Sequence, residues 1–244
     1  MATDAPGLIK KYWRKPRRHI WVVLVCSVAI AFVCALIAQN DKPVYAGRPL
    51  ASWVEDLADH DQATFEQAVE AVEHIGTKSI PFLIKWVSYE PPKWYAASDE
   101  LSLLGRSLVR VTKSKCIHSM RRSLGSITAF EVLGTNAAIA APKLSAIMTD
   151  TSRHNAATTA LICMSYLGTT AWPAMTAALE NTNYPYRDSI AYYIGINMAP
   201  DVGTNVCLAA LRNAMDDPDP AVRETAARIT RRLSRSPSAN ESPQ

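Results

Sequence analysis

The chain has 244 residues, 48% hydrophobic and 20% charged, enough to bury a sizeable core. Its net charge of +4 is uneven: residues 1–19 hold Lys10, Lys11, Arg14, Lys15, Arg17 and Arg18 against Asp4, a balance of +5 that leaves −1 for the rest. A near-neutral remainder lacks the broad cationic footprint of a nucleic-acid binder, so no nucleic-acid partner is expected. The five cysteines have neither metal nor redox spacing and form no disulfide framework, although one bond among Cys116, Cys163 and Cys207 stays open.

In chain order, the basic residues 1–19 come first. The uncharged run 20–38, IWVVLVCSVAIAFVCALIA, follows. As a helix it spans about 28 Å, close to the roughly 30 Å hydrocarbon core of a bilayer. Trp13 and Trp21 suit the interface. The basic flank places the N-terminus in the cytoplasm and the remaining chain across a cytoplasmic (inner) membrane in a single pass. A cleaved signal sequence and a buried core helix are the two other readings of the run. Residues 39–47 read as a linker.

A repeating unit occupies the segment beyond. An apolar residue and Gly precede a Pro, an apolar helix, a polar break and an Ala-rich helix. The unit recurs at Ile75-Gly76 with Pro81, Leu133-Gly134 with Pro142 and Leu167-Gly168 with Pro173, and in degenerate form at Ile194-Gly195. Gly134 and Gly168 are 34 residues apart, and Pro142 and Pro173 are 31 apart, the length of a helical-pair repeat. The 58 residues from Gly76 to Gly134 imply an insertion. Each Gly reads as a helix C-cap in the left-handed region, and each Pro as an early helix position that needs no N–H donor. Helices are expected near 48–59, 63–75, 79–88, 97–112, 117–133, 137–149, 154–167, 171–181, 186–195, 203–214 and 220–233. Residues 234–244, SRSPSANESPQ, read as a disordered tail.

The segment Asp217-Pro218-Asp219-Pro220-Ala221-Val222-Arg223-Glu224-Thr225-Ala226-Ala227-Arg228-Ile229 resembles the second half of a HEAT repeat of the PBS-lyase-like form. Looser copies lie at Arg122 to Gly134 and Asn155 to Leu161, so the resemblance covers roughly 63–233. Gly47 to Trp53 is similar to the lead-in of membrane-anchored bacterial HEAT-repeat proteins. The resemblance implies an all-α fold: a right-handed α-solenoid of antiparallel helix pairs over 48–233, preceded by one transmembrane helix.

Chemistry-bearing constellations are sparse. His19, His60, His74, His118 and His154 pair with no other ligand at metal spacing, and there is no HExxH, GxSxG, CxxC or phosphate-cradling Gly loop. No catalytic residue, cofactor, metal or small-molecule substrate is expected. Arg122, Arg153, Arg187 and Arg223 recur at intervals of 31, 34 and 36 residues. They read either as an anion-binding row or as a ladder bridging turn acids such as Asp150 and Asp219. Segment 86–122 offers Trp86, Tyr89 and Trp94 followed by Arg106, Arg110, Arg121 and Arg122, with no acid between Glu100 and Glu131. These seven residues are the candidate partner-binding set; the bland reading makes them a core cap and a solvated helix face. The expected function is a membrane-anchored scaffold for a protein partner, without catalysis. The alternative is a HEAT-like lyase-type enzyme or an accessory subunit of an envelope enzyme.

Overall fold

The computed structural model describes residue 23 and residues 43–59, 61–96 and 106–235, with the side chains of 96 and 106–111 excepted. Two compact units divide the chain, Met1–Lys42 and Pro43–Gln244. Apart from residue 23, the anchor expected at 20–38 lies outside the described residues, as do the basic segment before it and residues 236–244 of the tail expected at 234–244, whereas residues 234–235 continue the last helix.

The second unit is predominantly helical. A two-residue hairpin, β1 (Val44–Tyr45) with β2 (Arg48–Pro49), leads into α1 (Leu50–Asp56). The hairpin, absent from the sequence reading, is tied down by α1. The Trp53 indole N–H donates to the Tyr45 carbonyl at 3.2 Å, and Arg48 stacks 3.9 Å over the Trp53 ring while bonding Asp56 at 2.7 Å. Next come α2 (Gln62–Ile75), α3 (Ile80–Val87), the single turn α4 (Lys93–Ala96) and α5 (Arg106–Leu133). They are followed by α6 (Ala141–Thr149), α7 (His154–Ser165), α8 (Trp172–Glu180), α9 (Arg187–Tyr193), α10 (Ala199–Val202), α11 (Thr204–Ala214) and α12 (Pro220–Arg235).

The punctuation read from the sequence has the expected geometry at three places. Gly76, Gly134 and Gly168 take φ of 59°, 51° and 60°, where a side chain costs free energy and Gly does not. Pro81, Pro142 and Pro173 fall in the first turns of α3, α6 and α8. Gly195 differs. It lies in a π-helical turn, Ile194–Met198, and a Cβ there would come within 2.0 Å of the Ile229 side chain. Close approach of α12, not a turn, is what calls for Gly at that position.

The described part of one expected helix, residues 106–112 of 97–112, is continuous with the next, 117–133. The stretch Lys113-Ser114-Lys115-Cys116 contains no helix breaker, and α5 runs through it for 28 residues. That long helix and α4 account for the stretched interval between Gly76 and Gly134.

Packing follows sequence order. Helices α1 and α2, α3 and α5, α6 and α7, α8 and α9, and α11 and α12 pack as pairs. Where the link is short, as in residues 150–153 between α6 and α7, packed helices must run antiparallel. The second members also touch in order: α2 with α5, α5 with α7, α7 with α9 and α9 with α12. One continuous core results, from Leu50 and Trp53 through Phe130, Met148, Leu161, Met164 and Ile190 to Ile229. Ala137, Ala156, Ala157, Ala160, Ala191 and Ala226 are fully covered, small side chains that let helices approach closely. Gly125 does the same against α1, since a Cβ would sit 1.8 Å from the Val54 carbonyl oxygen.

Among the described residues one helical run, Thr112–Thr149, is long and apolar enough to cross a membrane. It bends at Gly134, and Ala129, Phe130, Leu133, Leu144 and Met148 within it are buried in the protein core. Cys116, Cys163 and Cys207 are free and buried, so the open disulfide reading is corrected. Burial pushes the Cys163 thiol well up and the Cys207 thiol to about 11, leaving both inert at neutral pH.

Candidate partner-binding surface

The four recurrent arginines are cross-braces. Arg187, on the first turn of α9, grips Asp217 with two bonds, Nε to Oδ2 at 3.1 Å and Nη2 to Oδ1 at 2.9 Å. Its Nη1 donates to the carbonyls of Thr182 and of Tyr184, the latter at 3.0 Å. Both side chains of the pair are covered (7% and 8% exposed) although they lie at shallow depth. Arg187 holds the Asp217 carboxyl below its ordinary value, and Asp217 raises the guanidinium in return. Arg153 donates to the Ser88 carbonyl of the preceding pair. Arg223 donates to the carbonyls of Asp217 and Pro218 at 2.8 and 2.9 Å. Arg122 bonds Glu55 at 2.6 Å, from the middle of α5 instead of a helix start. The partners are Asp217, Glu55 and backbone carbonyls; Asp219 instead caps α12 by accepting from the Ala221 N–H at 2.9 Å, and Asp150 accepts from Ser152 at 2.6 Å. Glu90 was missed by the sequence reading. It closes the open N-terminus of α7 from the loop after α3, accepting from the Ala156 N–H at 3.1 Å and the Asn155 amide at 2.9 Å.

The candidate residues divide into buried and open groups. Trp86 packs against the core, and the Arg122 guanidinium lies 6.0 Å from its ring centroid. The Tyr89 hydroxyl is buried beside Cys116 without a well-formed hydrogen bond, and burial pushes it up to about 12. Both residues are half-buried. Trp94 is 40% exposed and meets the Tyr95 ring edge-on. Arg106 and Arg110 belong to the first turns of α5, and their side chains lie outside the described residues. Arg121 reaches Asp59 at 3.3 Å and Arg122 reaches Glu55. Acids of the α1 region, distant in sequence, therefore face the acid-free run. This is why local charge counting overstated its positive character.

What remains is a shallow groove between α1 and α5, lined by Ser52, Glu55, Lys115, His118, Ser119 and Arg122. Glu55 accepts from Arg122 on Oε1 and meets His118 Nδ1 at 2.7 Å on Oε2. Lys115 has no carboxylate partner among the described residues. Beside the groove runs a ridge that the sequence reading did not pick out: Ile117 and Leu124, 42% and 53% exposed, flank Arg121 at helical spacing. The pattern of i, i+4 and i+7 was legible, but which face of α5 lies outward was not.

Of the other histidines, His74 occupies the last turn of α2, 4.7 Å from the Tyr45 ring. His154 bonds the Tyr186 hydroxyl at 2.8 Å. His19 and His60 lie outside the described residues. Among the described residues no three His, Cys, Asp or Glu side chains converge as a metal-binding group. Compared with protein-family models, curated proteins and solved structures, the chain matches none.

Proposed function

We propose that this chain is a membrane-anchored scaffold, a HEAT-like right-handed solenoid of helix pairs that binds a protein partner and performs no catalysis. The ordered pairing of neighbouring helices supports the solenoid reading, since repeat arrays are built from contacts between neighbours. The uncharged run 20–38, preceded by six cationic residues, supports an anchor with a cytoplasmic N-terminus and residues 43–244 on the far side of a cytoplasmic membrane.

The observation that carries partner binding is the uncovered α5 ridge, Ile117, Arg121 and Leu124. Large apolar side chains around an arginine match the composition of interface centres. Its charge is balanced locally by Asp59 and Glu55, so the partner is read mainly by shape and apolar contact, with Arg106 and Arg110 as rim cations.

In-cell crosslinking from the ridge, followed by co-purification, tests this reading. Ile117→Asp with Leu124→Asp should cut partner recovery at least about tenfold, while Arg106→Ala with Arg110→Ala should change mainly its salt dependence. Undiminished recovery with the two Asp substitutions would remove the ridge from the reading.

A further inference from the structure

The first and last of the second-row helices, α2 and α12, carry opposite charge stripes on their exposed faces, where Tyr45 of β1 meets Glu70 on α2 and Arg228 of α12 lies 5.8 Å over the Tyr192 ring. On α2, Ala68, Ala71, Val72 and Ile75 are buried, and Glu66, Glu70 and Glu73 lie exposed on the opposite side. On α12, Val222, Ala226 and Ile229 are buried, and Arg228, Arg231, Arg232 and Arg235 are exposed away from them, with Glu224 one turn earlier. Each stripe spans eight residues, a rise of about 10.5 Å along a helix. The four arginines frame an open hollow of their own and form no ion pair among the described residues.

Helix-dipole compensation accounts for Arg232 and Arg235, in the last turn of α12, but not for the rest of the stripes. Glu73 is in the last turn of α2, where a carboxylate is unfavourable, and Arg228 is in the middle of α12. Local bonds leave the acidic charges in place: Glu70 accepts from the Tyr45 hydroxyl at 2.8 Å and Glu66 from Gln62 at 2.8 Å. Helix α7 shows what such a face does when it has a neighbour. It touches both α5 and α9, is covered on most of its surface and carries neither Lys, Arg, Asp nor Glu. Helices α2 and α12 each touch one second-row neighbour where α7 touches two, and their exposed faces are charged with opposite sign.

We infer that the acidic face of α2 receives the arginine face of α12 from a second copy of this chain, so that copies associate head to tail. Glu66, Glu70 and Glu73 then meet Arg228, Arg231 or Arg232, and Arg235 in register, since intervals of four and three residues match in both stripes. The contact joins different surfaces of the two copies, so it propagates as an open array instead of closing as a dimer. Exposed ion pairs are individually weak and screened by salt, and confinement of the chains to one membrane would raise their effective concentration. The inference needs the order of helix packing but not the partner-binding reading of α5.

The test is sedimentation equilibrium of the full chain in detergent micelles at about 50 mM and about 500 mM salt. Dimers and longer species should form at low salt and dissociate at high salt. Replacement of Glu66, Glu70 and Glu73 by Lys should weaken association at least about tenfold, as should replacement of the four arginines by Glu. A chain carrying both sets should associate again. Circular dichroism checks the fold of each variant, and where a reversed set does not fold, the same positions changed to Gln should still weaken association. A monomer at low salt, salt-insensitive association that survives both reversals, or a monomer whose arginine stripe adsorbs to anionic vesicles instead would each overturn the inference.

Discussion

Arg187 and Asp217 are the most heavily committed pair of side chains in the described protein. Removing the arginine strands a covered carboxylate and leaves the carbonyls of Thr182 and Tyr184 without their donor. Arg187→Ala should therefore cost about 3 kcal/mol in urea-induced unfolding. Because the Asp217 pKa is depressed below its ordinary 3.8, the sign of its pH dependence follows. The stabilisation is fully present above the ordinary carboxylate range and is lost as pH falls through the depressed value. Urea midpoints measured from pH 6 down to pH 2 should thus fall less steeply in Asp217→Asn than in the parent, and equal slopes would contradict the assignment. Gly125 is a second such position. A Cβ there would stand 1.8 Å from the Val54 carbonyl oxygen, so backbone and not a flexible side chain is in the way. Gly125→Ala should destabilise by about 1–3 kcal/mol. It should also release residues 43–59 to limited proteolysis before the rest.

Among the elements, α7 is made by its neighbours. Its sequence, HNAATTALICMS, contains β-branched residues and has no side-chain cap from Arg153. Its first N–H groups are satisfied from 65 residues away by Glu90. Glu90→Ala should cost about 1 kcal/mol and speed hydrogen exchange in the first turn of α7, while leaving the last turn of α6 unchanged. No local pattern in the sequence marks Glu90, because a cap delivered by another loop has no sequence spacing. By contrast, α3, α6 and α8 were legible from the Gly and Pro that bracket them, since those two residues act through their own backbone. Helix α5 lies between these cases. Its apolar period was readable, but the polar stretch 113–116, which contains no helix breaker, read as a gap.

For residues 43–235, the proposed solenoid predicts that stability is not uniform along the chain. Helices α7 and α9 have neighbours on two sides and include Ala156, Ala160, Met164 and Ile190, all fully covered. Helix α12 is covered on one side only. Native-state hydrogen exchange should accordingly show the greatest protection in α7 and α9, declining through α12 toward Arg235. Equal protection throughout would mean a single cooperative unit in place of a stack.

The sequence alone indicated a succession of helices over residues 48–233, where most of the described ones stop, and that neighbouring helices can pack closely. Hydrophobic period, helix-ending glycines and small alanine faces are properties of contiguous residues, so they survive in one dimension. Only the tertiary structure decided which charges remain available. It set Arg121 and Arg122 against Asp59 and Glu55, sealed Arg187 onto Asp217, and left Ile117, Leu124 and the charged side chains on α2 and α12 exposed. Electrostatic pairing and exposure depend on distance in space, which the order of residues along the chain does not encode locally.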